Sequence, residues 1–318
     1  MREKFEVSVS PHFRSKDNIP RIMWLVILAL IPSGVMGVYY FGLHSFWVII
    51  ISIASAVLAE AMVGGIRRKG ITVFDGSAAL TGLLLAYNLP PNVPFWIPVT
   101  GSFFAVAIVK QAFGGLGRNI FNPALAARAF LLISWPKYMT EFSMPFGGPD
   151  AVTSATPLYY LKELKMGVSE MGLSYIDLFL GRHGGCIGEV AIAALLAGAI
   201  ILLALRIISI HIPFSYISVF ALLSWIFSDK GLVKGDVLLS LMSGGVILGV
   251  FFMATDYVTS PLTRKGQLLF GAGCGLLTFV IRRWGGYPEG VSFSILIMNA
   301  FVPLIDRVTL NRLYGGKK

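Results

Sequence analysis

The sequence predicts an all-α polytopic membrane protein with about ten transmembrane helices in two inverted five-helix repeats. Three observations carry that expectation. The composition is too apolar to cover a soluble surface, apolar runs of spanning length recur along the chain, and short signals repeat at one offset in both halves. Of 318 residues, 56% are hydrophobic and only 13% charged, with a mean hydropathy of +0.76. A soluble domain carries about 25% charged residues. A chain of this length could bury a full core and would still need a polar exterior, which these residues cannot supply. Much of the surface therefore faces lipid, and the 35 glycines suit helices that pack closely there.

The apolar runs come in order. In the first half they cover Ile22–Phe41, Phe46–Val63, Ile71–Leu89, Phe95–Phe113 and Phe121–Trp135, the last short for a crossing. A polar stretch, Pro136 to Gly185, separates them from Ile187–Leu205, Ile212–Phe227, Val237–Ala254, Leu268–Ile281 and Val291–Ile305. The implied organisation is an arm (1–21), a first membrane repeat (22–135), a polar segment (136–186), a second repeat (187–306) and a tail (307–318).

Lys and Arg in the short loops set the orientation. They lie in the arm (Arg2, Lys4, Arg14, Lys16, Arg21), after the second span (Arg67, Arg68, Lys69) and after the fourth (Arg118). They recur after the eighth (Arg264, Lys265) and in the tail (Arg307, Arg312, Lys317, Lys318). With ten spans all of these share one side, the cytoplasm, while Gly42–Ser45 and Asn88–Pro94 carry no Lys or Arg. Both termini are then cytoplasmic and the 136–186 segment is extracytoplasmic. Arg282 and Arg283 fall on the wrong side of this rule. The net charge of +10 and pI near 9.7 follow from the same loops. No basic, aromatic-interleaved stripe is present, which excludes nucleic acid as a partner.

The halves resemble each other. Phe113-Gly114-Gly115 precedes the fifth span and Trp284-Gly285-Gly286 the tenth. Fifteen residues beyond the second glycine of each pair come Phe130 and Phe301, each preceded by alanine. Asp75 opens the third span and Asp236 the eighth. An odd number of spans per half turns the second copy upside down, which is the inverted-repeat arrangement of many transport folds.

Polar residues within this frame are the candidates for chemistry. Gly114 to Ala124 is glycine-rich but lacks the Gly-Lys-Ser/Thr ending of a phosphate loop. Asn122 suits a helix N-cap and Pro123 the first helical position, so the backbone before them is non-helical. Such backbone near a membrane must be buried in protein or line a wet cavity. With Pro288 as its symmetry mate, it forms either two tight loops or two facing half-helices that frame a cofactor or ion. Glu60, Asp75, Lys110, Arg128, Asp236, Asp256 and Asp306 lie in or near spans, where charge marks function unless a cap or a snorkelling end explains it. Asp75 follows Thr72 at capping-box spacing, which favours a capping role. The cysteines, Cys186 and Cys274, and the scattered histidines His12, His44, His183 and His211 match no metal or redox spacing.

In the outer segment, Asp150-Ala151-Val152-Thr153-Ser154-Ala155-Thr156-Pro157 is a small, hydroxyl-rich loop before a short helix. No His or Lys adjoins Thr156 to act as base, so it is not a nucleophile by itself, but its hydroxyl is open to modification. This loop resembles the flavinylation motif Asp-x-x-Ser/Thr-Gly-Ala-Thr. Asp150, Thr153, Ala155 and Thr156 match it, and Ser154 replaces the usual glycine. Gly114–Ala124, Asp75–Gly82 and Ser8-Val9-Ser10-Pro11-His12 are likewise similar to one family. That family comprises RnfD, a membrane subunit of the Rnf ion-translocating electron-transport complex, and NqrB, its counterpart in the sodium-pumping NADH:quinone reductase. The resemblance spans essentially the whole chain, and the short arm favours the Rnf branch.

The resemblance implies a multi-pass subunit in a bacterial or archaeal cytoplasmic membrane. It would belong to an oxidoreductase complex that moves electrons between ferredoxin and NAD and couples this to Na⁺ or H⁺ movement. It implies FMN held by a phosphoester to Thr156, with Asp150, Thr153, Ser154 and Ala155 forming the attachment motif. A flavin transferase would add it outside the cytoplasm, in agreement with the charge rule. Riboflavin, noncovalent in the related NqrB, is a candidate second cofactor. The implied partners are membrane lipid and the other Rnf subunits, including the flavoprotein RnfG. Lys162, Lys165 and Arg182 are candidates to stabilise a reduced flavin, set against a plain solvated basic face. The rival expectations are a cofactor-free secondary transporter or channel with the same inverted repeat, and a structural scaffold subunit.

Overall fold

The computed structural model describes residues 18–67, 73–147, 156–164, 168–228, 231–233, 235–286 and 289–310. The protein is mostly helical. The first half contains α1 (Ile19–Phe41), α2 (Leu43–Ile66), α3 (Ser77–Tyr87), α4 (Trp96–Phe103, continuing as a π-helix over Phe104–Gln111) and α5 (Pro123–Ser134). Short helices α6 (Pro136–Thr140), α7 (Pro157–Lys162) and α8 (Tyr175–Leu180) occupy the polar stretch. The second half contains α9 (Ile192–Ala204), α10 (His211–Ile226), α11 (Val237–Met242) and α12 (Val246–Leu248, continuing as a π-helix over Gly249–Met253). It ends with α13 (Arg264–Trp284) and α14 (Val291–Thr309). A two-residue antiparallel pairing joins Phe227–Ser228 to Gly231–Leu232.

Among the described residues three helices are long and apolar enough to cross a membrane: α1, α2 and α14. Their outward faces show what surrounds them. On α1, Trp24, Leu28, Ile31, Val35 and Tyr39 fall on one helical stripe, and each is at least 47% exposed. A soluble helix would turn such a stripe inward. Here the small residues Ala29, Ser33, Gly34 and Gly37 are buried instead, as in helices that face lipid outside and protein inside.

Other expected spans are shorter or broken. The run Ile71–Leu89 yields only the eleven-residue α3, about 16 Å of helix, because Pro90 and Pro91 cannot continue it. Its open carbonyls are met by another irregular segment: Ile187 N donates to Leu89 O at 3.0 Å and Gly188 N to Tyr87 O at 3.1 Å. Correspondingly, the run Ile187–Leu205 is helical only from Ile192. Gly188 is required there, since a Cβ would lie 2.1 Å from the Tyr87 ring. The run Val237–Ala254 breaks at Ser243-Gly244-Gly245, with Gly244 at φ +64°. The run Phe95–Phe113 switches to π-helix midway, and α13 extends at both ends beyond Leu268–Ile281.

Buried hydroxyls tie the helices together. Ser52 on α2 donates to Gly82 O on α3 at 2.8 Å and contacts Ser102 on α4 at 3.0 Å. In the second half Tyr216 on α10 meets Thr278 on α13 at 2.5 Å, and Thr278 meets Ser294 on α14 at 2.7 Å. In the first half α2 thus packs on α4 and α4 on α5; in the second, counting the short α11 and α12 together as the third span, α10 packs on α13 and α13 on α14 in the same second-on-fourth pattern. Between halves, α1 packs on α9 and α5 on α14.

The α1–α9 crossing depends on Gly198, where a Cβ would lie 2.2 Å from the backbone oxygen of Ala29. Gly198→Ala should therefore destabilise the detergent-solubilised protein by about 1–3 kcal/mol through overpacking. Gly64→Ala, which meets nothing within 4 Å, should be neutral or slightly stabilising. Thermal unfolding of the two variants side by side checks this.

Candidate functional site

Two groups of buried charge sit in the protein, each beside a cavity. In the first, Lys110 at the end of the π-helix donates to Glu60 Oε1 on α2 at 2.8 Å and to Ser77 Oγ at the start of α3 at 2.6 Å. Gln111 donates to the same Glu60 oxygen at 3.1 Å. Asp75 joins through Ser77, accepting from its N at 2.8 Å and from its hydroxyl. The expected capping box is not formed: α3 starts after Gly76, and Asp75 holds its first residue from outside the helix by accepting from Ser77 N; Thr72 lies outside the described residues. A π-helix widens the turn and re-aims its side chains, which brings Lys110, 1% exposed, onto Glu60.

The adjoining cavity lies between α1, α3, the start of α5 and the end of α9. Its walls are largely apolar, with Lys110, Asn119, Asn122 and Asp256 as polar points. Asn122 is the N-cap of α5, accepting from Ala124 N at 3.1 Å and Leu125 N at 3.3 Å, and Pro123 follows it as the sequence predicts. The preceding backbone is non-helical, with Gly114, Gly115 and Gly117 all at positive φ. Asn119 Oδ1 is buried here and makes no hydrogen bond.

In the second group, Arg128 on α5 forms an ion pair with Glu289, just before α14. The guanidinium also donates to Asn88 Oδ1 at 3.0 Å and Ser292 Oγ at 3.1 Å, and lies 3.7 Å from Cys186 Sγ. Glu189 accepts from Cys186 N at 3.0 Å through Oε1, while its buried Oε2 makes no hydrogen bond. One donor atom from each of Cys186, Glu189 and Glu289 lies within 4.8 Å of the others. No local pattern in the sequence hints at this grouping. Its members come from four separated segments, and only Arg128 stands out as an intramembrane charge.

Thr156 lies at the edge of this group. It is half-buried and caps α7, with Oγ1 accepting from Tyr159 N at 3.3 Å and Pro157 in the first helical position. It shares a partly open cavity with Leu132, Phe142, Leu158, Arg128 and Glu289. Asp150, Thr153, Ser154, Ala155 and Lys165 lie outside the described residues, as does Pro288. Lys162 donates to Gly285 O, and partial burial lowers its ammonium from the ordinary value against the opposing pull of Glu163. Arg182 is 59% exposed and pairs with Asp177 at 3.6 Å.

The remaining candidates hold the backbone. Asp236 caps α11 through Leu239 N at 2.9 Å and accepts from the Tyr175 hydroxyl at 2.6 Å, which raises the Tyr175 pKa. Asp256 accepts from Thr259 Oγ1 at 3.1 Å, and Asp306 accepts from Leu262 N at 3.1 Å. Arg282, which defies the charge rule, donates to Ser240 O at 2.7 Å and Ser243 O at 2.8 Å, carbonyls left open where α11 ends. Arg283 donates to Phe227 O at 2.6 Å. Their place is set by backbone acceptors, which overrides the loop-charge preference.

Known proteins match the chain along nearly its whole length. Residues 6–315 match the family model described as the NQR2, RnfD, RnfE family. The chain is 51% identical to the D subunit of the Na(+)-translocating ferredoxin:NAD(+) oxidoreductase complex of Acetobacterium woodii, over 98% of this chain and 96% of the relative. It is 46% identical to the D subunit of the proton-translocating ferredoxin:NAD(+) oxidoreductase complex of Clostridium ljungdahlii, over 99% and 97%. It is 42% identical to the D subunit of the ion-translocating oxidoreductase complex of Stutzerimonas stutzeri, over 94% and 93%.

The Glu60–Lys110 pair should behave as a buried ion pair. Lys110→Met or Glu60→Leu alone leaves an uncompensated buried charge and should cost about 3–5 kcal/mol. The double replacement should recover most of that loss. A double-mutant cycle on the thermal unfolding of the purified protein measures it.

Proposed function

The chain belongs to the NQR2, RnfD, RnfE family. We propose on that footing that it is the RnfD subunit of an ion-translocating ferredoxin:NAD oxidoreductase complex, carrying FMN esterified to Thr156 as an electron relay. The protein is not catalytic alone and works with the other subunits, the flavoprotein RnfG among them. The single observation that carries the flavin reading is Thr156 itself. A hydroxyl that completes a flavinylation-like motif is half-buried on the wall of a cavity that a buried arginine also lines.

The residues present fit the group. Thr156 Oγ1 keeps a lone pair for Tyr159 N after esterification, so α7 keeps its cap. Leu132, Phe142 and Leu158 offer apolar walls of the kind that receive an aromatic ring. Bound FMN supplies one- and two-electron transfer, and the chain supplies binding, orientation and charge. Arg128, held by Asn88, Ser292 and Glu289, is fixed in place before any ring arrives.

The larger cavity is our candidate for a second, noncovalent flavin such as riboflavin. Asn119 Oδ1 is buried on its wall without a hydrogen bond, and the imide N–H of an isoalloxazine would provide one. The paired contacts α1–α9 and α5–α14, with second-on-fourth packing in each half, support an arrangement as two inverted five-helix repeats. On that reading both termini face the cytoplasm, and Thr156 faces outward, where a flavin transferase adds FMN. Relatives at 51% and 46% identity are named for different cations, so likeness of the whole chain does not select Na⁺ or H⁺.

Thr156→Ala should abolish the flavin fluorescence of the band on a denaturing gel and remove one FMN from the intact mass. An unmodified wild-type chain from its native host would instead favour the cofactor-free transporter or channel. Asn119→Leu should cost about 1 kcal/mol of affinity for the noncovalent flavin. Flavin released by acid should therefore fall while the fluorescent band stays unchanged.

A further inference from the structure

We propose that the ring of a flavin tethered at Thr156 seats in the cavity beside it with its polar edge against the Arg128–Glu289 pair, and that this pair sets its reduction potential. The inference rests on the reading of Thr156 as the flavin site. It adds two positioning residues that neither the attachment motif nor the loop charges point to.

Three features of the protein carry it. The tether and the pair line the same cavity, so no rearrangement of the chain is needed to bring them together. Apart from Thr140, the other walls are apolar, supplied by Leu132, Met139, Phe142 and Leu158, which suits the faces of a fused aromatic ring. The polar end is prebuilt. Arg128 is 5% exposed, and its guanidinium is held by Asn88 Oδ1 at 3.0 Å, Ser292 Oγ at 3.1 Å and the Glu289 carboxylate. A charge fixed in a low-dielectric site acts strongly on charge that develops beside it.

Two electrons and one proton convert the bound flavin to a reduced form that bears one negative charge on its pyrimidine edge. The electrons come from the neighbouring carriers of the complex and the proton from water. A cation at that edge stabilises the reduced form and raises the potential, whereas a carboxylate lowers it. Arg128 and Glu289 therefore act in opposite directions. The other charges nearby are placed differently. Glu189 and Arg282 do not line the cavity but stand behind its polar end, Glu189 with a carboxylate oxygen within 4.8 Å of one of Glu289, so they form a fixed background common to every variant. Lys162 does not line this cavity and is engaged with Gly285 O. Arg182 is 59% exposed, and solvent screens it.

The test is a spectroscopic redox titration of the covalent flavin in the purified complex. Arg128→Gln should shift the oxidised-to-reduced ratio at a given potential at least tenfold toward oxidised, about 30 mV for a two-electron couple. Glu289→Gln should shift it the other way, and Arg128→Lys should retain most of the wild-type value. Arg182→Gln should leave it unchanged. Should Arg128→Gln fail to assemble, Arg128→Lys and Glu289→Gln still decide the matter. Unchanged potentials with flavin retained would overturn the proposal, as would shifts of one sign in both the Arg128 and Glu289 variants, since general loosening of the site does that. A wild-type mass without FMN would remove the Thr156 reading along with it, so the two failures are distinguishable.

Discussion

A polar backbone group placed in lipid must find its partner inside the protein, and much of this architecture follows from that demand. Unbroken helices meet it automatically. The protein breaks its helices nevertheless, after Tyr87, before Ile192 and at Ser243-Gly244-Gly245. At the first two breaks the solution is mutual: the carbonyls of Tyr87 and Leu89 receive the N–H groups of Gly188 and Ile187. At the third, the guanidinium of Arg282 takes up the carbonyls of Ser240 and Ser243. The first two breaks are sealed across the two halves and so help to hold them together, while the third is sealed within the second half.

The same demand governs buried charge. Glu60–Lys110 lies within the first half, while Arg128–Glu289 joins the first half to the second. Ion pairs of this kind add little net stability over apolar replacements of the same volume, because desolvation offsets their attraction. Their presence therefore calls for another account than stability. Both stand beside cavities, and both are surrounded by hydrogen-bonding groups that fix their geometry. Fixed charge beside an enclosed apolar space is how a protein orients and tunes a redox-active ring.

Some of this is legible in the sequence, and the rest is hidden for physical reasons. Composition and apolar periodicity are statements about the surface, so the membrane character of α1, α2 and α14 can be read directly. Asn122-Pro123 encodes its own helix start, and the structure builds that cap as expected. The extent of the helices is less legible. Hydropathy treats Ile187–Val190 as part of a span, although these residues are irregular backbone held by α3; an apolar side chain says that a segment is buried and not that it is helical. Glu189 and Glu289 escape notice because burial of a loop carboxylate depends on tertiary contacts that no local pattern records. Thr156 is found from its neighbours in sequence, but the cavity beside it is made by residues from α5, the chain after it and the approach to α14.

Helix α5 connects these observations. Its N-cap, Asn122, lies on the wall of the larger cavity, and Arg128 lies on the wall of the smaller one. The rise from one to the other is about 9 Å along a single helix. The spacing is fixed by Asn122, which starts the helix, by Met253 O, which receives the Asn122 amide at 3.3 Å, and by Glu289, which receives Arg128. Two of these three anchors belong to the second half. A shift of one half against the other would therefore move both cavities relative to α5 together. Under the proposed reading, the two flavin seats are then not independent pockets but adjoin the start and the middle of one rigid helix whose position the contact between halves determines.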